Sequence, residues 1–345
     1  MAVINVPAGG SINSAFTSAN PGDTIRVAAG MFDENVVIPT GLDRLRLLGA
    51  GIGQTILDGT GSGGSGIELN SALVTIAGFT VRDYVNNGIV INTSDNIMRD
   101  LNVENNGVVG ISIASGATHN LIYKIKSKQN GSDGIEINGN NNYVIESKFL
   151  ENERLGMVLN GSNNLALRNT AIRNLGVGIE VGISVSGPHF LINNVSKRNG
   201  GDGIRFSNGG NFIYENKANR NDEDGFVISE IANNLIFNNS AKNNNLDGID
   251  LFEADNNRVI GNKVKKNAFT GIELGDDSDQ NIIDQNLVKK NTGPGILLTS
   301  DANDNAVREN TLRDNTPDIQ ADDPADDNNT FDENDCQSSS PPGLC

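Results

Sequence analysis

A chain of 345 residues with a formal net charge of −17 carries too few Lys and Arg to cover the phosphates of DNA or RNA, or to hold an anionic membrane surface. With 40 Gly, 5% aromatic residues and no Trp, its makeup is that of many short strands and tight turns rather than of a helical enzyme. No apolar run reaches membrane-spanning length, so no transmembrane segment is expected. The start, Met1-Ala2-Val3-Ile4-Asn5, has neither a basic n-region nor an apolar h-region, so no signal peptide is visible. A secreted protein would then have lost its signal or would leave the cytoplasm by another route.

In chain order, residues 11–19 predict a short amphipathic helix, followed by the turn Asn20-Pro21-Gly22-Asp23. Strand-like runs follow at 24–27, 36–38 and 45–48. Residues 1–40 read as a cap, because the open end of a solenoid exposes core and an unpaired strand edge. Beyond it, a Gly followed by an apolar–any–apolar triplet recurs, as in Gly66-Ile67-Glu68-Leu69, Gly88-Ile89-Val90-Ile91 and Gly110-Ile111-Ser112-Ile113. It continues from Gly134, Gly156, Gly178, Gly203, Gly225, Gly248, Gly271 and Gly295, at intervals of 22 to 25 residues. One identically placed strand per period is a solenoid signal, and each triplet turns two residues in and one out.

Asn supplies a second periodicity. Sets spaced by five recur, as in Asn164/Asn169/Asn174, Asn211/Asn216/Asn221 and Asn257/Asn262/Asn267. An amide offers both donor and acceptor where the chain turns a corner and loses its sheet partners, and Asn tolerates left-handed backbone angles. These asparagines are read as an architectural ladder. The expected solenoid spans 41–335, and the tail 336–345 carries the only two cysteines, Cys336 and Cys345, read as a disulfide. The fold class is all-β: a single-domain right-handed parallel β-helix solenoid with an N-terminal helical cap.

These features together resemble the pectin-lyase-like right-handed parallel β-helix superfamily, nearest to the NosD-like and carbohydrate-binding/sugar-hydrolase repeat proteins. The residues that carry the resemblance are Asn20-Pro21-Gly22-Asp23-Thr24-Ile25 with Gly30, the Gly-Ile-x-Leu strands and the Asn corners. Catalytic motifs of the superfamily are missing. There is no Gly-His-Gly, and Asp323-Pro324-Ala325 lacks the His of the epimerase motif. Fold-level analogy leaves the reaction open among lyase, hydrolase and epimerase.

Candidate sites come from the columns that stacking creates. The outward residues of the Gly-led strands include Glu68, Val158, Glu180, Arg205, Val227, Asp250, Glu273 and Leu297. Asp250 and Glu273 are like charges on adjacent coils, so one is expected to titrate high, and their spacing suits glycosidase chemistry. Arg205 stands in the same column, where Glu180 is its expected partner. His189 occupies the place of a ladder Asn, in the coil with an extra 184–188 insertion; it is expected to act as a corner hydrogen-bonder, with catalysis as the alternative. Asp250, Glu273, Arg205 and His189 are therefore the catalytic candidates.

A basic stripe precedes the third ladder Asn of successive coils: Arg173, Lys197, Arg198, Arg220, Lys242, Lys265, Lys266, Lys289 and Lys290. Stacked cations repel, so the stripe suits an anionic polymer lying along the coils, or simple solvation and edge protection. The loops before the first ladder Asn carry Asp276, Asp277, Asp279, Asp301 and Asp304, an oxygen-rich edge suited to Ca²⁺; no other cofactor is expected. The expected function is an extracellular, cell-surface or spore-surface protein that binds, and in its enzymatic version processes, an acidic polysaccharide. The alternative is a non-enzymatic structural or adhesive component of a spore coat, envelope or appendage, which the regular coils favour.

Overall fold

The computed structural model describes residues 1–182 and 187–345, and its contacts divide the chain into two compact units, Met1–Leu175 and Gly176–Cys345. Each unit is an all-β parallel solenoid with three sheets, here A, B and C, to which a coil contributes one short strand in turn. One coil of the second unit runs through Leu235–Phe237 in sheet A, Ser240–Lys242 in sheet B and Ile249–Phe252 in sheet C. Strands stack in strict register: Ile89 pairs with Ile111 in the first unit, and Asp250 with Glu273 in the second. A residue type repeated once per period therefore becomes a column along the sheet.

Burial follows from the alternation of side chains along a strand. Sheets A and B bury the middle residue of each triplet, as at Ile236 and Ala241, and sheet C buries the first and third, as at Ile249 and Leu251. Apolar side chains from the three sheets fill the interior of each coil. The glycine that leads each sheet C strand is there for space. A Cβ at Gly248 would stand 2.2 Å from Val264 Cγ1 and 2.5 Å from the carbonyl oxygen of Gly271, and φ is not positive there.

The asparagines form inward-facing ladders. Asn262 accepts from the backbone N–H of Asn239 at 2.7 Å, and its Nδ2 donates to Asn286 Oδ1 at 3.1 Å and to the Ile236 carbonyl at 2.8 Å. One fully buried side chain thus satisfies two backbone groups of the preceding coil and bonds the ladder amide of the following one. The expectation that these asparagines take the left-handed conformation is corrected. The residue before each adopts it instead, as at Asn238 (φ 55°), Gly261 (φ 65°) and Lys266 (φ 57°). That residue turns the corner, which leaves the following Asn free to point inward.

At the N-terminus the helix covers Ile12–Phe16 rather than 11–19. Ser11 caps it, and the hydroxyls of Thr17 and Ser18 donate to the carbonyls of Ser14 and Ala15, which closes the last turn early. The third early strand is Arg46–Leu48, with Leu45 buried ahead of it. Glu34 binds the helix start through the N–H of Ile12. Cys336 and Cys345 are bonded to each other. No helix among the described residues is long and apolar enough to cross a membrane.

Replacing Asn262 with Ala leaves the Asn239 N–H buried without a partner, at about 1–3 kcal/mol, and takes one donor from the Ile236 carbonyl. Denaturant unfolding of Asn262→Ala is expected to show a loss of about 2 kcal/mol. A loss below about 1 kcal/mol would mean that the ladder is not a main support of the corners.

Candidate active site

The outward face of sheet C in the second unit gathers carboxyl groups from two columns. The strand column runs Arg205, Val227, Asp250, Glu273 in register. The second column lies in the turns just ahead of the leading glycines: Asp202, Asp224, Asp247 and Thr270. Each of these Asp side chains accepts the backbone N–H of the next member: Asp224 N–H to Asp202 at 3.1 Å, Asp247 N–H to Asp224, and Thr270 N–H to Asp247. The two columns meet at Glu273, which accepts from the Thr270 hydroxyl at 3.1 Å and feels the charge of Asp247.

This crowding moves the carboxyls out of their ordinary range. Burial, reinforced by Asp224, Glu273 and Asp247, pushes Asp250 up to about 8. Burial, reinforced by Asp202 and Asp247, pushes Asp224 up to about 7 against its backbone hydrogen bond. Burial also raises Asp247, and burial together with the Asp247 charge raises Glu273. Arg205 does not relieve them. Its guanidinium forks onto Asp202 at 2.6 and 2.7 Å and reaches Glu223 at 3.8 Å, while Glu180 lies in register one strand away. Val227 stands between Arg205 and Asp250 and is only 7% exposed. Val227 and Val158, outward by alternation, are nonetheless buried on the outer face of the sheet.

Asp250 and Glu273 occupy directly opposed positions on neighbouring strands, about 4.8 Å apart at the backbone. A carboxylic acid kept protonated at neutral pH beside a second carboxyl is an acid–base arrangement in which the pair, rather than either residue, titrates. Sheet C is also widened here. The strands Phe226–Ser229, Ile249–Phe252 and Ile272–Gly275 have four residues where most of sheet C has three, so the half-buried Phe252 lies beyond Asp250 on the same face.

His189 is brought to none of this. It is fully buried and keeps the ladder through its backbone N–H, which donates to Asn211 Oδ1 at 2.9 Å. Its ring nitrogens have no partner among the described residues, so the expected side-chain corner bond is absent, and burial holds the ring neutral with its pKa near 4. Of the 184–188 insertion, residues 184–186 lie outside the described residues.

The basic stripe falls on the outward face of sheet B and on the corner that follows. In the first unit, Arg173 is paired with Glu151 at 2.9 Å. In the second, Lys242, Lys265 and Lys289 stack through the register, with Asn219 between Lys242 and Lys197, and Arg198, Arg220, Lys266 and Lys290 hold left-handed corners. Lys290 lies 3.9 Å from Asp314, but among the described residues no carboxylate comes within ion-pairing distance of Lys242, Lys265, Lys266 or Lys289. Burial, together with Lys263, Lys289 and Lys242, lowers the pKa of Lys265. A shallow depression of about 300 Å³ lies against Lys197, Arg220 and Lys242.

The acidic edge does not converge. Asp276, Asp277, Asp301 and Asp304 are exposed, and Asp279 accepts the backbone N–H of Asn303 at 2.7 Å. Among the described residues no three His, Cys, Asp or Glu side chains are grouped to hold a metal ion. The sequence reading missed Asp202, Asp224 and Asp247. Asp immediately before the leading Gly in three successive coils is the signal that marks them.

Two pH dependences of opposite sign follow. A carboxyl that titrates higher in the folded than in the unfolded chain binds extra protons in the folded state, so its burial costs stability as pH rises from about 4 to about 8. Asp250→Asn is therefore expected to melt several degrees above the parent at about pH 9, with the gap closing toward about pH 4. A pH-independent gap would contradict the raised titration of Asp250. His189 titrates lower in the folded chain, so its contribution is full above its ordinary value of 6.5 and is lost as pH falls toward about 4. His189→Asn, which restores a ladder amide, is expected to raise the melting temperature and to flatten this acid limb. Unchanged melting across that range would contradict the account of the orphaned ring.

The model of the right handed beta helix region matches residues 65–188 and 181–336. No curated protein matches the sequence. Among solved structures, the A-module of the Azotobacter vinelandii mannuronan C-5 epimerase AlgE4 is similar at 18% identity and TM-score 0.59, over 94% of this chain and 88% of that one. The catalytic domain of a GH87 α-1,3-glucanase in complex with tetrasaccharides is similar at 16% identity and TM-score 0.67, over 96% and 67%. The Dettilon tailspike protein is similar at 15% identity and TM-score 0.65, over 93% and 66%. At these identities the likeness is one of fold, and with the family model spanning well over half of its length, the chain belongs to the right-handed β-helix family.

Proposed function

We propose that this chain is an extracellular or surface protein that binds an acidic polysaccharide and hydrolyses its glycosidic bonds on sheet C of the second unit. The observation that carries the reading is the opposed pair Asp250 and Glu273, set in a row of carboxyls and, among the described residues, without an ion-paired cation. Asp250, protonated at neutral pH, is the general acid toward the glycosidic oxygen. Glu273, whose charged form the Thr270 hydroxyl stabilises, is the partner carboxylate that attacks the sugar carbon or activates water. Elimination or epimerisation at a uronate needs the sugar carboxylate neutralised beside the base. Arg205, the nearest cation of the column, is already engaged by Asp202, which favours hydrolysis.

An acidic polymer is favoured by the corner cations. Arg198, Arg220, Lys266 and Lys290 occupy left-handed positions, a conformation that costs most side chains about 1–2 kcal/mol and Gly or Asn little. Positive charges kept at that cost, two of them (Arg198 and Arg220) four residues ahead of Asp202 and Asp224, suit a polyanion lying along the corner. Similar folds in a mannuronan epimerase and an α-1,3-glucanase support a polysaccharide as the ligand class. The disulfide supports an oxidising compartment. The acidic edge leaves Ca²⁺ to be tested rather than assumed.

The test is incubation with a panel of acidic polysaccharides, with and without Ca²⁺, read by reducing-end release and by absorbance of unsaturated sugars. Reducing ends without unsaturated product are expected, falling at least about 100-fold in Asp250→Asn and Glu273→Gln. Polymer retention is expected to weaken with salt and with Lys265→Gln/Lys266→Gln. Unsaturated product would replace hydrolysis with elimination. Neither product nor retention would favour the non-enzymatic structural or adhesive protein.

A further inference from the structure

Two apolar side chains stand in the turns beside the carboxyl row. Phe269 is 57% exposed and immediately precedes Thr270, the residue bonded to both Asp247 and Glu273. Leu246, 36% exposed, immediately precedes Asp247, and its carbonyl accepts the Phe269 N–H at 3.3 Å, so the two sit on neighbouring coils. On the other side of the row, Phe252 pairs in register with Gly275, which has no side chain to cover it. Lys266 lies three residues ahead of Phe269, at the start of the same turn. Across this turn the surface therefore changes from cation to exposed aromatic ring to carboxyl pair. An exposed Phe in a chain with 5% aromatic residues adds nothing to the core.

Resting on the reading of sheet C as a glycan-hydrolysing face, we propose that Phe269 is the platform of a sugar subsite, with Phe252 bounding the opposite side. A pyranose ring has an apolar C–H face and a rim of hydroxyls. The face stacks on the Phe269 ring while the rim meets carboxyl oxygens, and an acidic substituent on the same or the next sugar reaches Lys266. Phe269 is a positioning residue: it sets where the ring lies relative to Asp250 and Glu273 and carries no proton.

The experiment uses the full chain with size-defined oligouronates and neutral gluco-oligosaccharides of four to six sugars. Binding is followed by calorimetry and turnover by reducing ends. Phe269→Ala is expected to raise KM and Kd about tenfold, with kcat, its pH profile and the melting temperature near those of the parent, and Phe269→Trp is expected to restore affinity. Parent-like binding and KM in Phe269→Ala, with the parent active, would overturn the subsite and leave the hydrolytic reading standing. Absence of both binding and turnover in the parent itself would overturn that reading, and the subsite with it.

Discussion

Everything outside the core depends on how the corners are satisfied. A chain that turns three corners per coil loses sheet partners at each, and the inward Asn amides replace them while tying one coil to the next. Because an amide reaches only its neighbour, the coils must repeat in register at the strand spacing. That requirement turns every outward position into a column. It places Asp250 opposite Glu273 and Lys265 opposite Lys289, pairs that an irregular fold would separate.

The consequences differ between the two charges. The lysines of sheet B carry their charge on long stems, and burial together with the neighbouring lysines shows as the lowered pKa of Lys265. The carboxyls of sheet C are short and partly covered by Val227 and by each other. They answer crowding by holding protons. The same register that stabilises the solenoid thus produces acids poised near neutral pH, without a specialised loop. Local widening of sheet C to four-residue strands is the one departure from regularity at that place.

The repeat was legible because the sheet C strands are only three or four residues long and their alternation is bound to a Gly. Gly248-Ile249-Asp250-Leu251 states which residues face in, and so Asp250 and Glu273 could be named before any coordinates. Asp224, Asp247 and Phe269 were not legible in that way. They lie in turns, where no periodicity says which way a side chain points. The left-handed corners were assigned to the ladder Asn rather than to the residue before it, since sequence shows which residue tolerates the conformation and not which one turns the chain. The orphaned ring of His189 was equally hidden. An imidazole fits the place of an amide by spacing, but only packing shows that neither nitrogen finds a partner among the described residues.

The central claim is that these carboxyls remain protonated near neutral pH because the stacked coils bury them side by side. Carbon-13 NMR titration of the carboxyl carbons in Asp- and Glu-labelled protein measures this directly. The account requires at least two Asp resonances with apparent midpoints near 7 and 8, assigned by their loss in Asp224→Asn and Asp250→Asn. Titration of every carboxyl below about 5 would show that the columns lie far enough apart to ionise independently, and the acid–base role of sheet C would fall with that result.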